Sequence, residues 1–491
     1  MISADQFNAY AEQGFKRIPV VREVLSDLDT PLSAYLKLAG GACSYLFESV
    51  EGGARWGRYS IIGLPARTVL KVFGYRLLLE ENGVTVRDDI VVDPLAEIEK
   101  IKAAIAVPHL PNLPTFHGGW VGYFGYECAQ YIETKLQATQ NHDQLGMPDI
   151  YLMLAEELAV FDNLKGKIYL IVNANPEQAN AYENAVQRLD TLVHQLRETA
   201  VTYPRLTDPT AIDESHFISS FPKEKYLQAV QQCKEYVYSG DVFQVQISQR
   251  LSVPYHARPL DVYRALRSLN PSPYMYFLDL GREQIVGSSP EILVRVQAGQ
   301  VVVRPIAGTR RRGHDDADDL AMEAELLADP KERAEHLMLI DLGRNDVGRI
   351  AEVGSVKMTE HMIVERYSHV MHIVSEVVGK IRQGLTFMDV LRATFPAGTL
   401  TGAPKVRAMQ VIAEFEPVKR GVYGGAVGYW GWDDQADLAI AIRTAVIQDG
   451  QLHVQAAGGV VADSVPELEW KETMNKGRAL FRAVAQAAMG L

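Results

Sequence analysis

In the first 210 residues, short segments with the spacing of strands alternate with segments with the spacing of helices, which predicts a mixed region of both. Apolar positions three and four residues apart predict a helix over 177–196. Short apolar-rich runs bounded by turn residues predict strands. These runs cover 44–48, 59–62, 70–73, 118–125, 151–161 and 167–172.

The next region opens with a helical run over 222–238, which the Ser239-Gly240 pair brings to an end. A strict alternation follows over 242–251, which predicts a strand with one polar face. That face is either the wall of a cavity or a side of the sheet turned to solvent, and periodicity alone favours solvent. The residues of the polar face are Gln244, Gln246 and Ser248.

Prolines and acidic residues interrupt the periodic pattern over 196–214, which predicts a linker and a domain boundary near residue 210. The chain then divides into segments 1–210 and 211–491. The dipeptides Ala298-Gly299 and Asp449-Gly450 predict hairpins. Together with the long helices, these features predict an α+β fold, in which large antiparallel sheets pack as a sandwich-like core with helices outside.

Composition narrows the possible partners of the chain. Its 491 residues are 47% hydrophobic and 22% charged, and its net charge is −12. Such a surface repels phosphate, so we expect neither nucleic acid nor an anionic membrane as a partner. The three cysteines form no CxxC pair, and no signal peptide or run of about 18 apolar residues is present, which predicts a cytoplasmic protein.

Two predicted helices each carry a pair of glutamates three residues apart. Asp329-Pro330 and the Ser464/Glu467 spacing predict where these helices begin. Four carboxylates on two helix faces can hold a hard cation such as Mg²⁺. The same spacing is also ordinary on exposed helices, and spacing alone favours that interpretation. The pairs are Glu332 with Glu335 and Glu469 with Glu472, and Lys476 lies one turn beyond the second pair.

Other residues suggest contacts to an anion. Gly308 and Thr309 follow a predicted strand, where a backbone N–H and a hydroxyl can donate to a carboxylate. Arg443 lies within a predicted apolar strand over 437–447, so it pairs either with an internal carboxylate or with a substrate. Gly458 and Gly459 follow the next predicted strand and allow the backbone to approach a ligand.

Two titratable residues are candidates for proton transfer. Glu291 is predicted at the start of a strand, where it acts as a general acid if burial raises its pKa and is otherwise a solvated turn residue. His372 alternates with apolar neighbours, which fits a structural histidine as well as a catalytic one.

Six motifs follow one another through the C-terminal segment. Together they resemble the chorismate-utilising enzyme family, and within it the large subunits of anthranilate synthase. The motifs are PIAGTR (305–310), KERAEHLMLIDLGRNDVGR (331–349), FPAGTLTGAPK (395–405), GVYGGAVGY (421–429), AIAIRTAV (439–446) and DSVPELEWKETMNKGRAL (463–480). The resemblance implies the fold of that family, with residues 211–491 as the chorismate-binding catalytic domain.

The resemblance also implies roles for individual residues. The Mg²⁺ ligands of the family fall on Glu335 and Glu472, with support from Glu332 and Glu469. Its active-site positions fall on Glu291, His372, Thr399 and Lys476. Its substrate contacts fall on Gly308, Thr309, Tyr423, Arg443, Ala457, Gly458 and Gly459. The glycine-rich segment reads QAAGGVV, so Ala457 stands where the family usually has glycine.

By resemblance, the residues at two positions distinguish the members of the family. Members that add water to chorismate carry a lysine base where this chain has Gln244. Aminodeoxychorismate synthases carry lysine where this chain has Ala307. The absence of both lysines favours ammonia as the nucleophile, which is the chemistry of anthranilate synthase.

The N-terminal segment adds a regulatory element by resemblance. Segments 45–49 (YLFES) and 270–275 (NPSPYM) are similar to the two elements that build a tryptophan feedback site in this family. The residues implied are Glu48, Ser49, Arg58, Pro273, Tyr274 and Met275.

The implied reaction is a lyase reaction in tryptophan biosynthesis, in which chorismate and ammonia give anthranilate and pyruvate through aminodeoxyisochorismate. None of the three cysteines lies in the GxCxG elbow of a glutaminase, so a separate glutamine amidotransferase subunit is expected to supply ammonia in a hetero-oligomer. Three alternatives remain open: amination without loss of pyruvate, a catalytically inactive paralogue that senses tryptophan, and an acidic scaffold without a small-molecule site.

Overall fold

A computed structural model describes residues 1–49, 57–136, 141–204, 211–367 and 370–491. The predicted boundary near residue 210 falls on 205–210, which lies outside the described residues. Within these ranges, no helix combines the length and the apolar character needed to cross a membrane.

Two large antiparallel sheets form the core, and strands are numbered in chain order across both. In the described ranges each sheet has twelve strands. The first sheet contains β1 (Ile18–Leu25), β2 (Ser44–Glu48), β3 (Tyr59–Gly63), β9 (Glu157–Asp162), β10 (Lys167–Ala174), β11 (Ile218–Ser219), β12 (Gln244–Pro254), β13 (Tyr274–Asp279), β14 (Gln284–Ser289), β20 (Gly402–Ala403), β23 (Thr444–Gln448) and β24 (Gln451–Val460).

The second sheet runs in the order β17-β19-β16-β15-β22-β21-β7-β8-β4-β5-β6, with β18 paired to β19. Its strands are β4 (Thr68–Phe73), β5 (Arg76–Glu81), β6 (Val84–Ile90), β7 (Gly119–Phe124), β8 (Ile150–Ala155), β15 (Ile292–Gln297), β16 (Gln300–Val303), β17 (Ile306–Arg311), β18 (Lys357–Arg366), β19 (Val370–Lys380), β21 (Ala426–Gly431) and β22 (Ala436–Ile440).

Helices cover the outer faces of the sheets. The α-helices span Ala4–Glu12, Pro31–Leu38, Pro94–Ala103, Ala129–Ile132, Ala181–Glu198, Lys223–Tyr238, Pro259–Leu269, Asp316–Ala328, Pro330–Gly348, Phe387–Thr394, Gly398–Thr401, Lys405–Phe415 and Pro466–Ala488. Short 3₁₀ helices span Tyr126–Cys128, Thr134–Leu136 and Glu214–His216.

The apolar core has a layer between the sheets and a layer on each outer side. Val160 of the first sheet and Val121 of the second belong to one buried cluster, so the two sheets share an interior. Leu189 of the Ala181–Glu198 helix packs on the first sheet, and Leu391 of the Phe387–Thr394 helix belongs to the cluster outside the second. The predicted α+β sandwich with outer helices is confirmed.

Both sheets contain strands from each side of the predicted domain boundary. In the first sheet β2 pairs with β13, and in the second β7 pairs with β21. The two sequence segments therefore do not form two separate sheets.

The chain crosses between the sheets at short breaks that the sequence pattern does not reveal. The predicted strand over 151–161 is wrong as a single element, because β8 and β9 lie in different sheets and separate at Glu156. The predicted strand over 437–447 is likewise wrong, because β22 and β23 lie in different sheets and Arg443 falls in the break with φ +50°. A run of apolar residues looks continuous in the sequence whether or not it changes sheet.

The two acidic helices begin as follows. Asp329 caps the Pro330–Gly348 helix by accepting hydrogen bonds from the N–H groups of Lys331 and Glu332, at 2.9 and 3.3 Å, as predicted. The predicted capping box at Ser464 is wrong. Val465 is the N-cap of the Pro466–Ala488 helix, and the Ser464 hydroxyl instead accepts from the N–H of Val461.

Close approach of β7 and β8 depends on a glycine, which gives a test of the fold. A Cβ at Gly122 would lie 1.9 Å from the carbonyl oxygen of Tyr151, a backbone atom that cannot give way. We expect Gly122→Ala to lower the free energy of unfolding by about 3 kcal/mol. Thermal unfolding followed by circular dichroism measures the change.

Gly348→Ala is the matched control, because a Cβ there meets no atom within 4 Å. Unfolding of Gly122→Ala at the wild-type midpoint would contradict the close approach of these strands.

Candidate active site

Glu291 lies where the chain passes from β14 of the first sheet to β15 of the second. Its side chain is buried, and the hydroxyl of Thr399 donates a hydrogen bond to Oε1 at 3.0 Å. Burial raises the pKa of the Glu291 carboxyl to about 8, while Thr399, Arg443 and Lys476 act in the opposite direction. Glu291 is therefore a protonated acid near neutral pH, rather than a solvated turn residue.

His372 lies in β19 opposite Thr309 of β17. Its Nδ1 is 2.8 Å from the carbonyl oxygen of Gly308 and 3.1 Å from the hydroxyl of Thr309. Because a carbonyl can only accept, Nδ1 carries the proton and Nε2 keeps a lone pair. Burial lowers the pKa of the imidazole to about 4, so His372 is neutral at pH 7 and its Nε2 can accept a proton.

Gly308 occupies an irregularity in the pairing of β17 with β19 and has φ +69°. A Cβ at this position would lie 3.2 Å from Oε2 of Glu332. Glycine thus lets the β17 backbone approach one of the predicted acidic helices, and it places Gly308 and Thr309 beside His372.

Arg443 occupies the break between β22 and β23, near Tyr367 and Glu291. Burial is the main influence on its guanidinium and lowers the pKa. No carboxylate in the described ranges lies within ion-pair distance of Arg443, so the alternative of an internal partner finds no support there. The position suits an arginine that receives an anionic ligand.

The segment predicted as a glycine turn is instead part of β24. Ala457, Gly458 and Gly459 pair with residues 246–248 of β12. The Ala457 backbone makes two side-chain contacts: Lys476 Nζ donates to its carbonyl oxygen at 2.9 Å, and Tyr423 hydrogen-bonds with the same backbone unit. An alanine therefore fits here, although glycine is usual in the family.

The polar face of β12 is buried, so the preference for a solvent-facing side is wrong. Gln244, Gln246 and Ser248 are 5%, 8% and 1% exposed. A Cβ at Gly459 would come within 2.8 Å of the side-chain nitrogens of both glutamines. These side chains fit because their neighbour on β24 has no side chain, and the face forms an internal polar wall.

One member of each predicted pair of metal ligands lies against this wall. Gln244 donates to Glu335 at 3.3 Å. A Cβ at Gly458, one residue from Gly459, would lie 3.1 Å from Oε2 of Glu469. The strand ends of β12 and β24 thus contact carboxylates of both acidic helices.

The charges of these carboxylates are only partly balanced. Burial and the neighbouring Glu335 raise the pKa of Glu332, which also has an ion pair with Arg310 at 3.2 Å. Burial and the neighbouring Glu472 raise the pKa of Glu469, whose Oε2 is buried and has no hydrogen-bond partner in the described ranges.

The residues present fit a magnesium ion held by few protein ligands. Among the described residues, no three acidic, histidine or cysteine side chains gather as a complete metal site. Mg²⁺ commonly takes only one or two carboxylates and fills its other positions with water and substrate oxygens. The unpartnered Glu469 oxygen and the paired carboxylates suit such an ion.

Comparison with known proteins agrees with this geometry. The family model for chorismate binding enzyme matches residues 77–482. The chain belongs to the chorismate binding enzyme family. It is 57% identical to anthranilate synthase component 1 of Pseudomonas aeruginosa over 99% of both chains, and 53% identical to that of Neisseria meningitidis serogroup A over 100% of both.

Solved structures of the chorismate binding enzyme family share the fold. Anthranilate synthase component I from Streptococcus pneumoniae superposes with a TM-score of 0.78 at 37% identity, covering 93% of this chain and 99% of that one. The menaquinone-specific isochorismate synthase MenF from Escherichia coli gives 0.71 at 18% identity, covering 98% of each chain. At 18% identity, the second similarity shows the fold alone.

The six residues predicted for a feedback site line one pocket of about 340 Å³, away from Glu291 and His372. The pocket lies between the two sheets. Arg267 and Tyr263 hydrogen-bond the Glu48 carboxylate, and Arg58 pairs with Asp162 at 3.0 Å. The residues brought together are Glu48, Ser49, Arg58, Pro273, Tyr274 and Met275.

A buried ion pair beside Tyr423 was not predicted from the sequence. Arg420 pairs with Glu416 at 2.6 Å, and both side chains are almost fully buried. Arg420 also donates to the carbonyl oxygens of Leu400 and Gln246, at 2.6 and 2.8 Å. Its guanidinium lies 5.8 Å from the Tyr423 ring centroid. The i, i+4 spacing of Glu416 and Arg420 is visible in the sequence, but surface helices show it equally often.

The raised pKa of Glu291 predicts a pH dependence of stability. The pKa of the Glu291 carboxyl is about 8 in the folded chain, compared with an ordinary value of 4.5, so the folded chain binds this proton more tightly. Wild-type protein should therefore lose stability relative to Glu291→Gln as pH rises between these two values, and the difference should be smallest below 4.5. Thermal midpoints measured across this range test the prediction.

The exposed Glu12→Gln serves as control, since it removes a carboxyl that is not buried. A constant difference between wild type and Glu291→Gln at every pH would show that folding does not shift the pKa of Glu291.

Proposed function

We propose that the protein is the large subunit of an anthranilate synthase. It converts chorismate and ammonia into anthranilate and pyruvate through aminodeoxyisochorismate, the first committed step of tryptophan biosynthesis. The observation that carries the proposal is that a protonated Glu291 and a neutral His372 are both buried within electrostatic reach of Arg443. An acid and a base poised together suit an addition followed by an elimination.

In the first step, ammonia attacks C2 of chorismate while the C4 hydroxyl departs. Hydroxide is a poor leaving group, so it must leave as water with a proton from an acid. Glu291 supplies that proton, and Thr399 holds its carboxyl in place through the 3.0 Å hydrogen bond. The ammonium group formed at C2 gives its extra proton to solvent water and Glu291 is left as a carboxylate, so protons balance over the step.

In the second step, Nε2 of His372 removes the proton from C2, the bond from C3 to the enolpyruvyl oxygen breaks, and the ring becomes aromatic. The departing enolpyruvate takes a proton on its methylene carbon to become pyruvate. The hydrogen bond from Nδ1–H to the Gly308 carbonyl fixes the tautomer that this requires. Thr309 and Gly308 stand beside the imidazole, where they also contact the enolpyruvyl group of the substrate.

Arg443, Tyr423 and the backbone of 457–459 bind the ring carboxylate. The Tyr423 hydroxyl has its pKa raised by burial, so it stays protonated and can donate to the carboxylate. Lys476, held by the Ala457 carbonyl and by Glu472 at 2.7 Å, adds positive charge on the same side.

Mg²⁺ belongs to this site in the proposal. Glu335 and Glu472 would hold it, with Glu332 and Glu469 nearby. When bound, it supplies a Lewis acid that draws negative charge toward the ring carboxylate. The partial charge balance of these glutamates supports the assignment.

Ammonia is the nucleophile because an enzyme amine is lacking at both discriminating positions. Gln244 stands at the water-adding position and donates its amide N–H to Glu335, and Ala307 is buried in β17. An amide is not basic enough to activate water, and alanine cannot attack chorismate.

A glutamine amidotransferase subunit supplies the ammonia. Cys128 and Cys233 are buried, and burial raises the pKa of both thiols, so neither is a ready nucleophile. We infer a hetero-oligomer with that subunit, in the cytoplasm, where free thiols persist.

Tryptophan occupies the separate pocket as feedback inhibitor. The volume of about 340 Å³ suits an amino acid with a bicyclic ring. Met275 and Pro273 offer apolar contacts, and the carboxylates of Glu48 and Asp437, which are already paired with arginines, add acidic groups to the wall.

The function is tested by mixing purified protein with chorismate, Mg²⁺ and ammonium at alkaline pH and following anthranilate fluorescence. Growth of fluorescence that ceases with a chelator supports the proposal. Loss of chorismate without fluorescence would favour amination without elimination, and unchanged chorismate would favour an inactive paralogue.

The role of His372 predicts a separation of the two steps. His372→Met should slow pyruvate elimination roughly 100-fold while amination continues, so that aminodeoxyisochorismate accumulates. Chromatography of quenched reactions measures both products. His453→Met is the matched control, because His453 is also buried with a lowered pKa but hydrogen-bonds Ser252 away from this site. Anthranilate formed at the wild-type rate by His372→Met would refute the role.

The separate pocket predicts that inhibition can be lost without loss of activity. Thr115 lines it, and Thr115→Phe should raise the tryptophan concentration for half-inhibition at least about tenfold, by filling volume that the indole needs. Tryptophan should inhibit Thr115→Ser as it inhibits the wild type. Activity without tryptophan should stay unchanged in both. Equal inhibition of Thr115→Phe and wild type would place the tryptophan site elsewhere.

A further inference from the structure

A small cavity of about 50 Å³ lies behind the catalytic carboxyl. Glu291 and Thr399 line one part of it, and Asp346 of the Pro330–Gly348 helix lines another. Most of the remaining wall is apolar, formed by Leu293, Val303, Leu339, Leu342 and Ile440. The polar groups that face this space are therefore few.

Asp346 is a buried carboxylate with no part in the proposed chemistry. It is 7% exposed, and Lys405 Nζ donates to its Oδ2 at 2.9 Å. The same ammonium lies 3.3 Å from the carbonyl oxygen of Thr394, another residue of the cavity wall. Oδ1 of Asp346 is buried and has no hydrogen-bond partner in the described ranges.

An unpartnered carboxylate oxygen in the interior is costly unless something donates to it. The Lys405 ammonium already donates to Asp346 Oδ2 and to the Thr394 carbonyl oxygen. Arg304 also lines the cavity, but it pairs with Glu360 and Glu365 of β18. A buried water needs roughly 10–15 Å³ and two to four polar partners, and this cavity offers both.

We propose that the cavity is a water site, and that Asp346, fixed by Lys405, positions this water to return a proton to Glu291 after each turnover. The inference rests on the proposed function, in which Glu291 gives its proton to the departing hydroxyl. The water donates one hydrogen bond to Asp346 Oδ1. It passes its other proton to the Glu291 carboxylate and takes a replacement from the next water toward the surface. Asp346 is thus a positioning residue.

The charges around the two carboxyls fit this arrangement. Arg443 and Lys476 act on Glu291, and Thr399 holds its Oε1. Burial raises the pKa of Asp346, while Lys405 and Arg349 act in the opposite direction. Because Lys405 donates to Oδ2, Oδ1 is the oxygen that can accept from a water.

The test uses Asp346→Asn, with Asp341→Asn as matched control on the same helix, where Asp341 is largely exposed. We expect Asp346→Asn to slow amination about tenfold and to move the high-pH limit of amination to lower pH. Elimination from supplied aminodeoxyisochorismate should keep its wild-type rate, because that step uses His372. Equal slowing of both steps, or of neither, would overturn the proposal.

Asp346→Asn leaves the Lys405 ammonium buried without its partner and can therefore unfold. The double variant Asp346→Leu with Lys405→Met removes both charges while keeping the volume, and it should show the same selective loss of amination. A high-resolution crystal structure of the wild type should show water bonded to Asp346 Oδ1, and a dry cavity would overturn the water site. Failure of the wild type to form anthranilate would count against the proposed function, whereas the crystal structure decides the water site independently.

Discussion

The active site depends on the way the chain crosses from one sheet to the other. Three crossings in the described ranges are very short: Glu156 alone, residues 290–291, and residues 441–443. A residue at a crossing belongs to neither strand, so the alternation of a strand does not set the direction of its side chain, although its backbone carbonyl still accepts from a nearby strand. Glu156 is neutralised by Arg17 at 2.6 Å. Glu291 and Arg443 have no such partner in the described ranges, and the proposed mechanism uses them as the acid and the cation of the site.

Burial shifts the pKa values of the acidic and basic side chains of the site in opposite directions. The same loss of solvent raises the pKa of the Glu291 carboxyl and lowers the pKa of the His372 imidazole. Both groups become neutral near pH 7, one as an acid and the other as a base. Hydrogen bonds from Thr399 and to Gly308 orient them without restoring charge. Arg443 remains charged, because an arginine stays protonated even when burial lowers its pKa.

The sequence predicted the fold class better than it predicted the local structure around the candidate site residues. Strand β2 and the cap at Asp329 follow from local pattern, because alternation and capping act over a few residues. The break at Arg443 and the buried polar face of β12 do not, since both depend on which sheet or helix lies opposite. Gln244 looks solvent-facing in the pattern, and only the glycines of β24 explain how it is buried.

The sharing of strands between the two halves of the chain also governs how the protein can form. β7, around residue 120, pairs with β21, around residue 428, and β1 and β12 lie in one sheet with β24. Neither sheet can be completed until the last strands have left the ribosome. Early strands such as β8 and β10 are buried on both faces in the folded protein. Until their partner strands are synthesised, their apolar side chains and unpaired edges stay exposed. Contacts of such long range slow folding, so the apolar strands stay exposed to aggregation for longer during synthesis.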